Sequence, residues 1–103
     1  MIARTWHGVV PIEKGDAYYE YLLKTGLNDY QHTEGNLGLQ VLRRSEGDKM
    51  HYFLITFWDS YEAIKAFAGE DYEKARYYPE DKAYLIEFEP FVTHYEVLYP
   101  PKR

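Results

Sequence analysis

The stretch FLITFWDSYEAIKAF, residues Phe53–Phe67, predicts a strand that runs directly into a helix. Its first half, Phe53–Trp58, is apolar apart from one threonine and rich in β-branched and aromatic residues, which is typical of a strand buried on both faces. After Asp59 the apolar residues recur at helical spacing, and Asp59 with Glu62 can form a capping box at the helix start. The rest of the chain must therefore cover both faces of this strand.

Length and composition predict one domain, residues 1–103, with more aromatic surface than its core can absorb. A chain of this length hides only roughly two-thirds of its unfolded surface on folding. Aromatic residues make up 18% of the sequence, and twelve of them are tyrosines. Because tyrosine joins an apolar ring to a polar hydroxyl, we expect some of these rings to line an interface or a ligand cleft.

Charge and residue usage exclude several classes of protein. The formal net charge is -5 and basic residues do not cluster, so a nucleic-acid partner is not expected. The absence of cysteine excludes disulfides and thiolate catalysis and is compatible with a reducing cytoplasm. No apolar run approaches the roughly 20 residues of a membrane span. We therefore expect a cytoplasmic protein without a membrane or nucleic-acid partner.

The order of the predicted elements defines the fold class. They are strand one at Ile2–Val10, helix one from about Glu13 to Gly26, a helical turn at Leu27–Tyr30, strand two at Leu37–Leu42, strand three at His51–Trp58, helix two from Ser60 to about Ala68 with a continuation through Asp71–Tyr77, a short helix at Glu80–Ile86 that follows Pro79, and a last strand at Phe91–Tyr99. Strand, helix, strand, strand, helix, strand is the ferredoxin-like βαββαβ order. The sequence thus predicts an α+β fold with an antiparallel four-stranded sheet.

Strand three is apolar on both faces, and this predicts a partner. The row of Phe53, Ile55 and Phe57 and the alternate row of Leu54 and Trp58 cannot both be covered by helices on one side of the sheet. A sheet face this apolar would leave a large exposed patch. We therefore expect a second copy to cover it and form a homodimer.

Four segments carry a resemblance to a known family. They are Met1–Trp6, Phe57–Phe67, Gly69–Tyr72 and Thr93–Val97, which read MIARTW, FWDSYEAIKAF, GEDY and THYEV. On these segments the chain resembles the antibiotic biosynthesis monooxygenase family of the dimeric α/β-barrel superfamily, whose members also include heme-degrading enzymes. The likeness spans nearly the whole chain. It implies the ferredoxin-like fold, a homodimer and a ligand site between the sheet and the helices of each subunit.

The resemblance also implies where site residues stand. The family position at the end of strand one, usually an Asn that holds the substrate or the reacting oxygen, matches His7. A helix-two position that is often Trp matches Phe67, and the position where heme-degrading members carry a proximal His matches Tyr77. All three differ from the family pattern, which argues against a heme role, although a tyrosine phenolate can ligate ferric heme.

The chemistry of these residue types suggests roles for them. Histidine titrates near neutral pH, so His7 could remove a phenolic proton and leave an anion able to reduce O₂ directly. The alternative for His7 is a structural histidine bonded to a backbone carbonyl. Tyr72 and Tyr77 could orient an aromatic substrate beside Phe67, or they could be ordinary wall residues.

Three functional hypotheses follow. The first is a cofactor-independent monooxygenase, an oxidoreductase acting on an aromatic or phenolic small molecule, with His7 as the catalytic residue and Phe67, Tyr72 and Tyr77 binding substrate. The second is a non-catalytic dimeric module that binds a small aromatic ligand in the same cleft. The third is a heme-binding or heme-degrading protein. The four histidines come from separate elements without metal-ligand spacing, so neither a metal nor another cofactor is predicted.

Overall fold

The structure, a computed structural model, describes residues 1–100, with the side chains of Gln31 and Phe88 left aside. The last three residues of the predicted single domain lie outside the described residues. The elements are β1 at Ile2–Pro11, a 3₁₀ turn at Ile12–Lys14, α1 at Gly15–Lys24, α2 at Gly26–Gln31, β2 at Asn36–Glu46, β3 at Lys49–Trp58, α3 at Tyr61–Ala68, α4 at Asp81–Tyr84, β4 at Glu87–Phe88 and β5 at Thr93–Glu96.

The strands form one antiparallel sheet in the order β2–β3–β1, and both β4 and β5 pair with the remaining edge of β1. The predicted ferredoxin-like α+β fold is confirmed. Its fourth strand position is divided between two short strands, because the chain between β4 and β5 leaves the sheet edge. β4 pairs with Gly8 and Val9 and β5 with the segment Ile2–Thr5, so Trp6 and His7 fall in the gap between them.

The register of β1 and β3 decides which side chains share a face. Trp6 lies opposite Leu54, and His7 lies opposite Phe53. Leu54 is buried in the core, whereas Phe53 is exposed. Because side chains alternate along a strand, Trp6 joins the face that the helices cover and His7 joins the open face.

The core lies between the sheet and the helices and is built largely from aromatic rings. Trp58 is completely buried, and its ring packs against Tyr30 of α2 and Phe67 of α3. Its indole N–H donates to the hydroxyl of Thr56 at 2.8 Å, so this buried donor has a hydrogen-bond partner. The predicted strand-to-helix stretch therefore anchors two helices to the sheet.

The cap of α3 differs from the predicted capping box. Ser60, in extended backbone, is the cap residue, and its hydroxyl accepts from the backbone N–H of Ala63 at 3.2 Å. Asp59 lies one residue too early to reach that N–H, and its carboxylate accepts instead from the Ser60 hydroxyl. The prediction of Asp59 and Glu62 as reciprocal caps is wrong by one residue.

The predicted continuation of helix two through Asp71–Tyr77 is also wrong. Gly69 ends α3 with a φ of 87°, which favours glycine, and the chain beyond it is not helical up to α4. Its backbone groups pair elsewhere: the N–H of Ala75 donates to the carbonyl of Pro90, and the carbonyl of Glu73 accepts from Val92. A helix would consume these groups, so long-range pairing overrides the local pattern.

The short helix after Pro79 is confirmed in place but not in length. α4 covers only Asp81–Tyr84, because the N–H of Ile86 donates to the carbonyl of Val9 and draws the chain into the sheet. Within the described residues, no helix has both the length and the apolar character needed to cross a membrane.

Candidate functional site

A small cavity of about 30 Å³ lies between the sheet and the helices. It has room for roughly two water-sized atoms. Its walls combine apolar and aromatic side chains with two arginines and one carboxylate, contributed by Arg4, Trp6, Tyr18, Leu22, Gly26, Tyr30, Leu54, Arg76, Tyr77, Tyr78, Asp81 and Val92. Buried charges at one small cavity make it the candidate functional site.

A chain of hydrogen bonds begins at two residues of the cavity wall, Trp6 and Tyr77, and ends at the backbone of Glu89. The indole N–H of Trp6 donates to the hydroxyl of Tyr77 at 3.0 Å, and that hydroxyl donates to the carbonyl of Glu89 at 2.5 Å. The two rings meet edge to face with centroids 6.1 Å apart. Burial raises the pKa of Tyr77, so its phenol stays protonated and acts as a donor.

Arg4 brings a positive charge into the interior. Its side chain is 3% exposed, and its Nη2 donates to the carbonyls of Tyr72 and Lys74 at 3.4 and 3.2 Å. The guanidinium also lies 5.8 Å from the centroid of the Phe67 ring. In the part of the chain that the structure describes, Arg4 Nε has no hydrogen-bond partner and no carboxylate forms an ion pair with this residue.

Asp81 brings the opposite charge to the same cavity. Its carboxylate is 4% exposed and accepts the backbone N–H of Tyr78 at 2.5 Å, with the Tyr18 hydroxyl 3.5 Å away. Burial raises the pKa of Asp81 because it penalises the charged form. A carboxylate with a raised pKa that lines a cavity is suited to accept a proton from a bound acid.

Tyr78 lines both the cavity and a cleft at the surface. Its hydroxyl donates to Asp29 of α2, and Arg76 lies 3.6 Å from the same carboxylate. The Arg76 guanidinium also lies 4.6 Å from the centroid of Phe67. These contacts hold the segment between α3 and α4 against α2.

Two surface clefts adjoin the cavity. One, of about 430 Å³, is lined by Tyr77, Tyr78, Pro79, Asp81 and Lys82. The other, of about 320 Å³, is lined by Asp29, His32, Thr33, Ala66, Phe67 and Arg76. The first shares three of its five lining residues with the cavity and is large enough for an aromatic ring.

The structure separates the residues that the sequence predicted to work together. Tyr77 lines the cavity, and Phe67 packs beside it under the two arginines. Tyr72 lies further out, where its ring packs against Tyr61 and His94. Of the three predicted binding residues, only Tyr77 lines the cavity.

The prediction that His7 stands at the end of strand one beside this cleft is wrong. His7 lies in the middle of β1, and its side chain points to the opposite face of the sheet. There its Nδ1 is 2.6 Å from Glu89 Oε2, and its Nε2 is 2.9 Å from His51 Nδ1. His7 and His51 line a separate pocket of about 290 Å³ together with Leu42 and Phe53.

Sequence reasoning missed Arg4, Trp6 and Asp81. A signal for the first two is their shared parity: an arginine and a tryptophan two residues apart in an otherwise apolar strand lie on one face. Asp81 follows Glu80 in a segment that looks like an ordinary acidic helix start. Its burial depends on Tyr18 and Tyr78, which meet only in the folded chain.

His94 is expected to make the protein sensitive to mild acid. Burial, with the nearby Arg4 charge, lowers the pKa of His94, so the folded state binds the proton less readily than the unfolded chain. This contribution to stability is therefore complete above an unfolded pKa of about 6.5 and is lost as the pH falls from there towards the lower folded value. Urea unfolding across that range should show a smaller loss in His94→Gln than in wild type.

The exposed His32, at the end of α2, supplies the matched control for this titration. His32→Gln should keep the wild-type dependence of unfolding free energy on pH. A His94→Gln profile parallel to that of wild type would show that His94 does not carry the effect.

The sheet and its helix layer define a ferredoxin-like fold, and a polar cavity with aromatic walls lies between them. A family model described as antibiotic biosynthesis monooxygenase matches residues 10–76. The chain belongs to this family. No curated protein matches it at a significant level.

Solved structures agree on the fold. The chain is similar to a heme-degrading protein from Mycobacterium tuberculosis, solved with two hemes in its active site, at 21% identity over 99% of this chain and 100% of that one, with a TM-score of 0.66. It is also similar to a putative antibiotic biosynthesis monooxygenase from Bacillus cereus at 19% identity over 99% and 97% of the two chains, with a TM-score of 0.66. A third, from Nitrosomonas europaea, gives 14% identity over 96% and 100%, with a TM-score of 0.67.

Proposed function

We propose that the protein is a cofactor-independent monooxygenase that oxidises a small phenolic or quinone-forming aromatic molecule. The observation that supports this best is the buried carboxylate of Asp81 in the same cavity as the Trp6–Tyr77 pair. The carboxylate offers a base, and the hydrogen-bonded pair forms a fixed aromatic wall beside it. Family membership supports the reaction class.

The substrate ring would lie in the adjoining cleft of about 430 Å³, with its oxygen in the inner cavity. The inner cavity is too small for a ring, and Tyr77 and Tyr78 form part of both spaces. The ring would thus contact aromatic walls, while only the reacting oxygen meets buried polar groups. This division between an apolar body and a few polar contacts is common in ligand sites.

The reaction proposed begins with proton transfer. Asp81 takes the phenolic proton of the substrate, for example of the anthrol tautomer of an anthrone, and the resulting anion gives one electron to O₂. The carbon radical and superoxide combine into a peroxide, which receives the proton back from Asp81. Loss of water then leaves the new carbonyl, so one anthrone and one O₂ give one anthraquinone and one water.

A heme role does not fit the residues of this cavity. A solved structure similar in fold holds heme in its active site, but here the cavity between the sheet and the helices is about 30 Å³, far smaller than the macrocycle. Tyr77, matched to the proximal ligand by the resemblance, bonds Trp6 and Glu89 and has a raised pKa, which disfavours the phenolate that would ligate iron. Adding hemin should give no shifted, saturable Soret band, and such a band would contradict this reading.

Oxygen uptake by the wild-type protein tests the proposed reaction. With a panel of anthrones and hydroquinones and no added cofactor, we expect saturable uptake of one O₂ per anthrone consumed. The O-methylated analogues should not react, because they have no acidic proton for Asp81 to remove. Saturable binding of the whole panel without uptake would replace this proposal with the non-catalytic binding module.

The same proposal includes a homodimer that forms through the open face of the sheet. Phe53 of β3 and Tyr95 of β5 are 38% and 55% exposed there, beside the exposed Leu42 of β2. Large apolar side chains grouped on one sheet face favour association, and a two-fold axis would pair this face with itself.

Phe53→Asp tests the interface. A charge buried at the centre of the dimer would be unpaired, so we expect sedimentation to show a monomer where the wild type is a dimer. Leu23→Asp, on the outer side of α1 and similarly exposed, is the matched control and should remain dimeric. A dimeric Phe53→Asp, or a monomeric wild type, would contradict the assignment of this face.

A further inference from the structure

We propose that the cavity holds the ionised oxygen of its aromatic ligand beside the buried charge of Arg4, so that phenolic ligands bind as phenolates. The inference rests on the proposed function only in taking this bound anion as the species that reacts with O₂. The binding itself is argued from Arg4 and its surroundings.

Arg4 is built to receive an anion. An arginine side chain stays protonated in proteins, and a buried charge is costly unless it is paired. Here the Nη2 group bonds two backbone carbonyls, while Nε has no hydrogen-bond partner among the described residues. A buried cation without a carboxylate partner among the described residues therefore lines a cavity that holds about two water-sized atoms.

The other charged and titratable groups around Arg4 leave its charge available. Arg76 faces the cavity but has Asp29 at 3.6 Å. The remaining groups, from α1, α2, the segment before α4, α4 itself and β5, are Tyr18, Tyr30, Tyr77, Tyr78, Asp81 and His94. Of these only Asp81 carries a negative charge, and its raised pKa makes it ready to take up a proton.

Charge balance links the two ends of the cavity. When a neutral phenol enters, the cavity holds the Arg4 cation and the Asp81 carboxylate. When the phenolic proton moves to Asp81, the negative charge moves to the ligand oxygen beside Arg4. The cavity then contains the Arg4 cation paired with the ligand anion, together with a neutral Asp81, so ionising the ligand adds no net charge to the interior.

The test uses 4-nitrophenol, whose phenolate absorbs in the visible and whose phenol does not. Because Asp81 titrates together with the ligand, the titration is made in Asp81→Asn, where Arg4 is the charge that remains. We expect the pKa of bound 4-nitrophenol to lie at least about one unit below that of the free probe, a tenfold change in ionisation constant. Adding Arg4→Met should abolish the shift, whereas adding Arg43→Met, on exposed β2, should leave it.

Three results would overturn the inference. An unshifted pKa in Asp81→Asn contradicts it without reference to Arg4→Met, so the test survives if the double variant fails to fold. A shift that persists in folded Arg4→Met assigns the effect elsewhere, and the absence of saturable probe binding removes the site. If the wild type takes up oxygen but the pKa of the probe is unshifted, the proposed function holds and the anion site is wrong. If the pKa of the probe is shifted but no oxygen is taken up, the anion site holds and the proposed function is wrong.

Discussion

Replacing Asp81 with asparagine is expected to lower the turnover of oxygen uptake by about 10²–10⁴-fold, the usual contribution of a positioned general base. The carboxylate is buried at the cavity and its pKa is raised by that burial, so it is both placed and poised to accept the phenolic proton. Asparagine keeps the shape and can still accept from the N–H of Tyr78. The substitution should therefore lower the turnover rate without unfolding the protein.

Two variants make the Asp81 experiment specific. Asp16→Asn removes an exposed carboxylate of α1 that pairs with Arg43, and it should keep the wild-type rate. His7→Gln should also stay within about threefold of wild type, because His7 points to the other face of the sheet. If His7→Gln abolishes uptake and Asp81→Asn retains it, the base is His7 and the reaction does not occur in the cavity.

Trp58→Ala is expected to cost about 3–5 kcal/mol in the free energy of unfolding. Trp58 is completely buried, packs against the rings of Tyr30 and Phe67, and donates to Thr56. Removing the side chain leaves a cavity between β3, α2 and α3. Since a domain of this size holds only about 5–15 kcal/mol of stability, this change removes a large share of it.

Urea unfolding followed by circular dichroism measures the effect of Trp58→Ala. Tyr61→Ala, which removes an aromatic ring that is more than a third exposed, is the control and should cost less than about 1 kcal/mol. Equal losses in the two variants would mean that Trp58 does not anchor the helices to the sheet.

The fold could be predicted because local pattern and long-range packing agree in most of the chain. The apolar run Phe53–Trp58 is a strand, and the change of period after it is a helix, as the residues indicate. The exception is Asp71–Tyr77, where a helical pattern follows Gly69. Its backbone groups pair with Pro90 and Val92, which lie far along the chain. The local sequence pattern gives no indication of this pairing.

The site was harder to predict because the alternation of side chains along β1 is compatible with either face of the strand meeting the helices. The residues show that Arg4 and Trp6 share one face and that His7 lies on the other, but not which face meets the helices. The register with β3 decides this, since Trp6 lies opposite the buried Leu54. Which of the two alternating faces of β1 meets the helices thus decides whether the site contains His7 or contains Arg4 and Trp6.

The position of the ligand is the central claim, and nuclear magnetic resonance can locate it directly. Trp6 lines the cavity, and its indole N–H reports on it through the bond to Tyr77, whereas His7 and His51 line the pocket on the opposite face. On addition of 4-nitrophenol to the wild-type protein, we expect the Trp6 indole signal to shift saturably and both imidazole signals to stay in place. Shifts of the two imidazoles with an unmoved Trp6 signal would place the ligand on the other face and contradict the account.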